Sequence, residues 1–233
     1  MTQAIERILV VTAHPDDPEF AAGGTVAKLV KEGREVTYVI ETNGNKGSGD
    51  RTIAPPLLAE IREEEQRNAA RVLGVKHVEF LGYEDGEVED TRQLRLDIAR
   101  QIRRWRPDLI ITQNPSRTYH NFHGWHRDHR ITGGVVLDCI YPLARDHLSF
   151  PELLPECEPH AVRAVHLIQW EDPRLVVDIT DVMDLKLKAI TCHASQVGDF
   201  KAVEGRMRAR AAALGQVKGY AYAEGFDDIV LPG

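Results

Sequence analysis

The chain lacks most of the features that assign a protein at once. Among 233 residues there are three cysteines, Cys139, Cys157 and Cys192, odd in number and far apart, and no CxxC. That argues against a disulfide framework or a thiolate zinc site, and for a reducing compartment. The formal charge is −7, so the basic stripe of a protein that tracks nucleic-acid phosphates is missing. No apolar run approaches the roughly 18 residues of a membrane span. MTQAIERILVV has no secretory apolar core, which makes a cytoplasmic location the expectation. No GxGxxG follows a strand either. Gly23 and Gly24 fall inside a helical pattern, and this weakens a dinucleotide-binding reading.

What is present is an ordinary globular balance, 42% hydrophobic and 28% charged, long enough to bury a sizeable core. Runs rich in β-branched residues at 7–13, 35–42, 75–82 and 108–114 read as strands. Between them, 20–33, 57–74 and 91–105 have helical spacing, with Gly33 and Gly74 as stops. A further helix is expected over 127–144, strands at 164–170 and 174–180, and helices at 181–194 and 201–215. The alternation predicts an α/β fold: a Rossmann-like, doubly wound, mainly parallel sheet with helices on both faces. No repeat or linker divides the chain, so residues 1–233 are expected to form a single domain.

Ligands of such sheets collect at the carboxyl ends of the strands. The first strand runs into AHPDDPE (13–19) and the 108–114 strand feeds HNFHGWHRDHR (120–130). The first motif offers one imidazole and two adjacent carboxylates. One Asp could simply cap the next helix, but a second beside it would repel the first unless a cation lay between them. In the second stretch, histidines recur at 120, 123, 126 and 129. His120 and His123 read as solvated neighbours of a pocket mouth. His126 and His129 flank Asp128, and a carboxylate beside an imidazole can fix its tautomer. His14, one of Asp16 and Asp17, and one of His126 and His129 would give two nitrogens and an oxygen around a metal. Three protein ligands with an open position are the layout of a catalytic zinc site. The leftover carboxylate and imidazole match the general base and oxyanion partner of a metal hydrolase. Spacing does not say which aspartate or which histidine takes which part.

AHPDD after the first strand, with HRDH about 110 residues later, resembles the metal-dependent de-N-acetylases of the PIG-L/LmbE-like family, which act on N-acetylglucosamine conjugates. The likeness extends through REEEQRNAARVLGV (62–75), KAITCHASQV (188–197) and YAEGF (222–226), nearly the whole chain. It implies His14, Asp17 and His129 as metal ligands, and Asp16 as the general base on the attacking water. His126 would be the imidazolium beside the oxyanion, able to protonate the leaving amine, with Asp128 orienting it. It also implies Arg62 and Asn43 as substrate contacts, although Arg62 could equally form a helical i,i+3 pair with Glu65.

The implied cofactor is Zn²⁺, with Fe²⁺ or another divalent ion as alternatives. The implied partner is a small amino-sugar conjugate, with no nucleic acid or membrane segment, and the likeness admits a trimer or hexamer. Two positions depart from the family pattern: Arg127 replaces a proline, and Asn43-Gly44 stands where Asp-Gly is usual. Selectivity for the aglycone is expected in 43–56 and 145–159. His193 reads as a structural helix residue, with an approach to the site as the other reading. The competing functions are hydrolysis of another sugar-conjugate amide and a metal-binding module without turnover. The second would have no need of Asp16 and His126.

Overall fold

The computed structural model describes residues 4–116 and 126–231. Five strands pair in parallel, in the spatial order β3-β2-β1-β4-β5: β1 (Arg7–Thr12), β2 (Glu35–Thr42), β3 (His77–Tyr83), β4 (Leu109–Gln113) and β5 (Ala164–Ile168). In β2, β1 and β4 nearly every residue is buried, on both sides of the sheet, as a sheet covered by helices requires. Ile8 and Val10 pack beneath α1 (Asp17–Lys31), α2 (Pro55–Leu73) and α5 (Met183–Ile190). Leu9 and Val11 pack against α3 (Arg92–Trp105) and α4 (Arg127–Asp138) on the other face. The sheet is therefore doubly wound. Strand order reverses between β1 and β4, and this places the ligand crevice at their carboxyl ends.

Local chemistry explains most element ends. Gly74, at φ 82°, closes α2 in the left-handed conformation a β-carbon disfavours. The Thr91 hydroxyl accepts the Leu94 amide at 3.1 Å and caps α3.

One expectation changes, and one strand was not foreseen. The helix expected over 127–144 stops at Asp138 and gives way to an irregular turn over Cys139–Leu143, with Tyr141 extended. Pro142 has no amide hydrogen to continue a helix. The segment containing YAEGF is a strand, β7 (Ala223–Val230), which lies antiparallel between β5 and β6 (Leu175–Asp178). Its Glu, Gly and paired Asp are residues that strands usually avoid, so composition concealed it. The helix α6 (Phe200–Gln216) packs over β7 and β6. No helix among the described residues is long and apolar enough to cross a membrane.

Candidate metal centre and active site

β1 ends at Thr12, and the next four residues make the turn that leads into α1. Asp16 is held at φ 87°, a conformation rare for a residue with a β-carbon. Gln66 and Arg62 brace it. Its amide donates to Gln66 Oε1 at 2.8 Å, and its carboxylate lies 3.3 Å from Arg62 Nη2. The same guanidinium donates to the Pro15 carbonyl at 2.8 Å and the Gly44 carbonyl at 3.0 Å. Asp16 occupies the N-cap position of α1, yet its side chain accepts no capping bond. Simple capping does not account for it.

Asp17 is the first residue of α1, and its two oxygens face different ways. Oδ2 accepts the His14 amide and the Gln113 side-chain amide, both at 2.8 Å. Oδ1 lies 3.1 Å from His129 Nε2, on the first turn of α4. His14 Nδ1 closes the triangle, 3.2 Å from His129 Nε2 and 3.4 Å from Asp17 Oδ2. Ligands about 2.0–2.1 Å from a tetrahedral ion sit about 3.3 Å from each other; the two edges at His129 Nε2 have that spacing, whereas the third runs to Asp17 Oδ2 rather than to the Oδ1 that faces His129. The turn after β1 and the first turn of α4, over a hundred residues apart, converge.

The outer nitrogen of His14 is equally constrained. Nε2 lies 3.1 Å from both Asp128 Oδ2 and Asp85 Oδ1, and Asp128 also accepts the Gly86 amide at 2.7 Å. With a proton on Nε2, the ring presents a bare Nδ1 inward, the usual arrangement of a histidine that ligates a metal. Asp85 was missed in the sequence, although it follows β3 as HPDD follows β1. The strand-end logic applied to those two loops reaches it too.

Electrostatics point the same way. Burial alone would lower the His14 pKa, but hydrogen bonds with Asp128, Asp17 and Asp85 carry it up to about 12. Burial likewise works against the Asp17 carboxylate, and His129 and His14 outweigh it, holding it well below the ordinary range. Asp16 is pushed up to about 6 by burial and then by the Asp17 charge, with Arg62 pulling the other way. His126 is lowered by burial and by the positive charge of His14. A pocket that holds a proton this tightly among three carboxylates has the charge and the donors of a cation site.

His126 lies beside the triangle, its ring centroid 4.5 Å from that of His14 and 5.4 Å from that of His129. By mutual distance, His14, His126 and His129 form one set that could share an ion, and His14, Asp85, His126 and Asp128 another; Asp17 is in neither. However, His126 Nδ1 accepts the Asp128 amide at 3.3 Å, a helix-capping bond that turns this nitrogen toward the backbone. Asp128 Oδ2 is 3.8 Å from the same nitrogen, farther than from His14.

A family model described as PIG-L, GlcNAc-PI de-N-acetylase, matches residues 9–140, which includes both motifs of this centre. The chain belongs to the PIG-L family. Its relatives include the diacetylchitobiose deacetylase of Thermococcus kodakarensis, 32% identical over 95% of this chain and 82% of that protein. A probable N-acetyl-α-D-glucosaminyl L-malate deacetylase 2 of Bacillus cereus is 32% identical over 81% of this chain and 83% of its own length. Among solved structures, the N,N'-diacetylchitobiose deacetylase of Pyrococcus horikoshii superposes with a TM-score of 0.90 at 33% identity, covering 97% of this chain and 84% of that one. The PIG-L family consists of de-N-acetylases, and the chain is such an enzyme.

The remaining residues singled out in the sequence fall into place around this PIG-L centre. Arg62 is 4% exposed and does not pair with Glu65, whose carboxylate instead accepts from the Ser195 amide and hydroxyl. Gly44 is at φ 66°, and a β-carbon there would overlap the Arg62 guanidinium, which is why glycine follows Asn43. Asn43 lies at the end of β2, and its Oδ1 is buried with no hydrogen bond among the described residues. His193 is fully buried, with Nε2 3.0 Å from Glu19 Oε2. It joins a layer under Asp16 rather than the triangle: Gln66 Nε2 donates to both Glu19 oxygens at 3.0 Å while Gln66 Oε1 holds the Asp16 amide. His120 and His123 lie outside the described residues.

Proposed function

We propose that this enzyme is a zinc-dependent hydrolase that removes the N-acetyl group from an N-acetylglucosamine-type conjugate, releasing acetate and a free amine. The observation that carries the reading is the convergence of His14 Nδ1, the Asp17 carboxylate and His129 Nε2 at 3.1–3.4 Å, counted over both Asp17 oxygens, with Asp16 next to Asp17 in the chain. Zn²⁺ bound there would supply Lewis acidity for the acyl oxygen and lower the pKa of a water to about 7.

The chain's own residues do the rest. Asp16, held by Arg62 and Gln66, takes a proton from the attacking water and passes it to the departing nitrogen. A carboxyl raised to about 6 suits both transfers near neutral pH. His126 Nδ1 is occupied by the Asp128 amide, which puts the ring hydrogen on Nε2. That N–H is the donor a developing oxyanion needs. His126 thus acts as a neutral hydrogen-bond donor rather than as an imidazolium. Asp128 and Asp85 orient His14, and Arg62 works through Asp16. Asn43, on the rim beside Gly44, is the side chain we assign to the sugar.

The test is an assay of acetate and free amine from zinc-loaded protein over N,N'-diacetylchitobiose, N-acetylglucosamine and N-acetylglucosaminyl malate. The expected result is equal release of both products from at least one. Amine without acetate, from a conjugate bearing another acyl group, would establish a different amidase, and no turnover on any of them would remove the proposal. Asp16→Asn should keep zinc bound and lower kcat by about 10²–10⁴-fold, the usual worth of a general base. A variant retaining nearly full kcat would show that Asp16 is not the base.

A further inference from the structure

Gln113, the last residue of β4, belongs to neither sequence motif, yet it touches both halves of the centre. Its side chain is 6% exposed, and its two ends have different partners. Oε1 accepts the Ala13 amide at 3.1 Å, and Nε2 donates to Asp17 Oδ2 at 2.8 Å. The orientation of the amide is forced. Ala13 offers only a hydrogen and the Asp17 carboxylate only lone pairs, so the nitrogen must face the carboxylate.

The backbone of the same residue receives the other half. A β-carbon on Gly133 would overlap the Gln113 carbonyl, so α4 packs directly on the end of β4 at this glycine. His129 is one turn earlier on α4. One residue thus fixes the carboxylate that ends the first motif and seats the helix that carries the second.

We propose that Gln113 is a positioning residue for the metal centre. It holds Asp17 Oδ2, together with the His14 amide, so that Oδ1 alone is turned toward His129 and the ion. A carboxylate with one oxygen saturated by two donors cannot swing to a bidentate pose or rotate away. The ligand triangle is thereby set before the cation arrives. Partners of this kind, one bond behind a ligand, typically change metal affinity 10–100-fold when removed. The inference rests on His14, Asp17 and His129 being the ligands, as proposed above.

The experiment measures the zinc Kd of the full chain by competition with a chromophoric chelator at fixed pH, together with the thermal midpoint of the zinc-free protein. The variants are Gln113→Met, which keeps the volume and loses both hydrogen bonds, and Gln113→Asn, which keeps the amide but is one methylene too short to reach. Gln66→Met serves as comparison, because Gln66 is just as buried but bonds to Asp16 and Glu19 and not to Asp17. The expected result is a 10–100-fold weaker zinc Kd for both Gln113 variants, and a change under threefold for Gln66→Met. A Kd within twofold of the parent in whichever Gln113 variant folds would overturn the inference. So would an equal loss in Gln66→Met, which would mean that any buried glutamine near the turn has the same effect. Failure of the parent chain to bind zinc at all would strike the ligand assignment instead, so the two failures are distinguishable.

Discussion

At the scale of single residues, the centre's charge turns on His14. Its Nδ1 faces the ligand triangle and its Nε2 faces two carboxylates, and the ring stays protonated up to about pH 12 while no cation is present. An entering zinc ion must displace that proton. The zinc association constant should therefore rise about tenfold per pH unit between roughly pH 6.5 and 8.5, one proton for each ion bound. Chelator competition across that range measures the slope, and a flat profile would mean that His14 is not a ligand. The adjacent pair Asp16 and Asp17 marks how far the sequence could be read. Two carboxylates after a strand announced a cation, but their separate tasks depend on a backbone angle and on Arg62, Gln66 and Gln113, which are distant in the chain. Gln113 was hidden for the same reason: it is one polar residue at a strand end, and only the order of the strands brings it to the crevice.

At the scale of elements, the parallel sheet and the helices from α1 to α3 were legible, because buried strands and amphipathic helices carry distinct periods. The misses were α4, cut short before Pro142, and β7, whose strand character comes from pairing with β5 and β6 rather than from composition. Gly133 and Gly134 lie inside α4, where glycine is a poor helix former. In the structure Gly133 is what lets α4 approach the Gln113 carbonyl, whereas a β-carbon on Gly134 would meet nothing. Gly133→Ala should consequently cost about 1–3 kcal/mol, the usual penalty of overpacking, and should weaken zinc binding by shifting His129. Gly134→Ala should stabilise the helix slightly or leave it unchanged. Thermal midpoints and zinc titrations of the two variants test the contrast, and equal behaviour would contradict the packing described.

For the molecule as a whole, stability and pH are linked through groups buried at the strand ends. Glu41 is pushed up to about 8 by burial, although the Thr132 hydroxyl, donating at 2.7 Å, stabilises its anion. Its ordinary value is 4.5, so between those pH values the folded chain holds a proton that the unfolded chain has released, and stability falls as pH rises. His14 acts in the same direction, its contribution complete below 6.5 and lost toward 12. Asp17, Asp85 and Asp128, all lowered, act oppositely as pH drops below 3.8, and the lowered imidazoles of His126, His160 and His166 act oppositely as pH falls through 6.5. The Glu41 contribution by itself should lower the thermal midpoint of the zinc-free protein at pH 8 relative to pH 5. Glu41→Gln should narrow that gap by roughly 2–4 °C for each kcal/mol recovered, and calorimetry at the two pH values decides. Another long-range tie comes from β7. Its Glu224 carboxylate accepts the Gly24 and Thr25 amides inside α1 at 2.8 and 2.7 Å and meets Lys186 at 2.6 Å, while Lys186 also bonds the Phe20 carbonyl. The helix that opens with Asp17 is thus bolted in place by a residue two hundred positions later. A ribosome must deliver the chain as far as Glu224 before the segment bearing Asp16 and Asp17 can lock, so this corner of a nascent chain waits on β7.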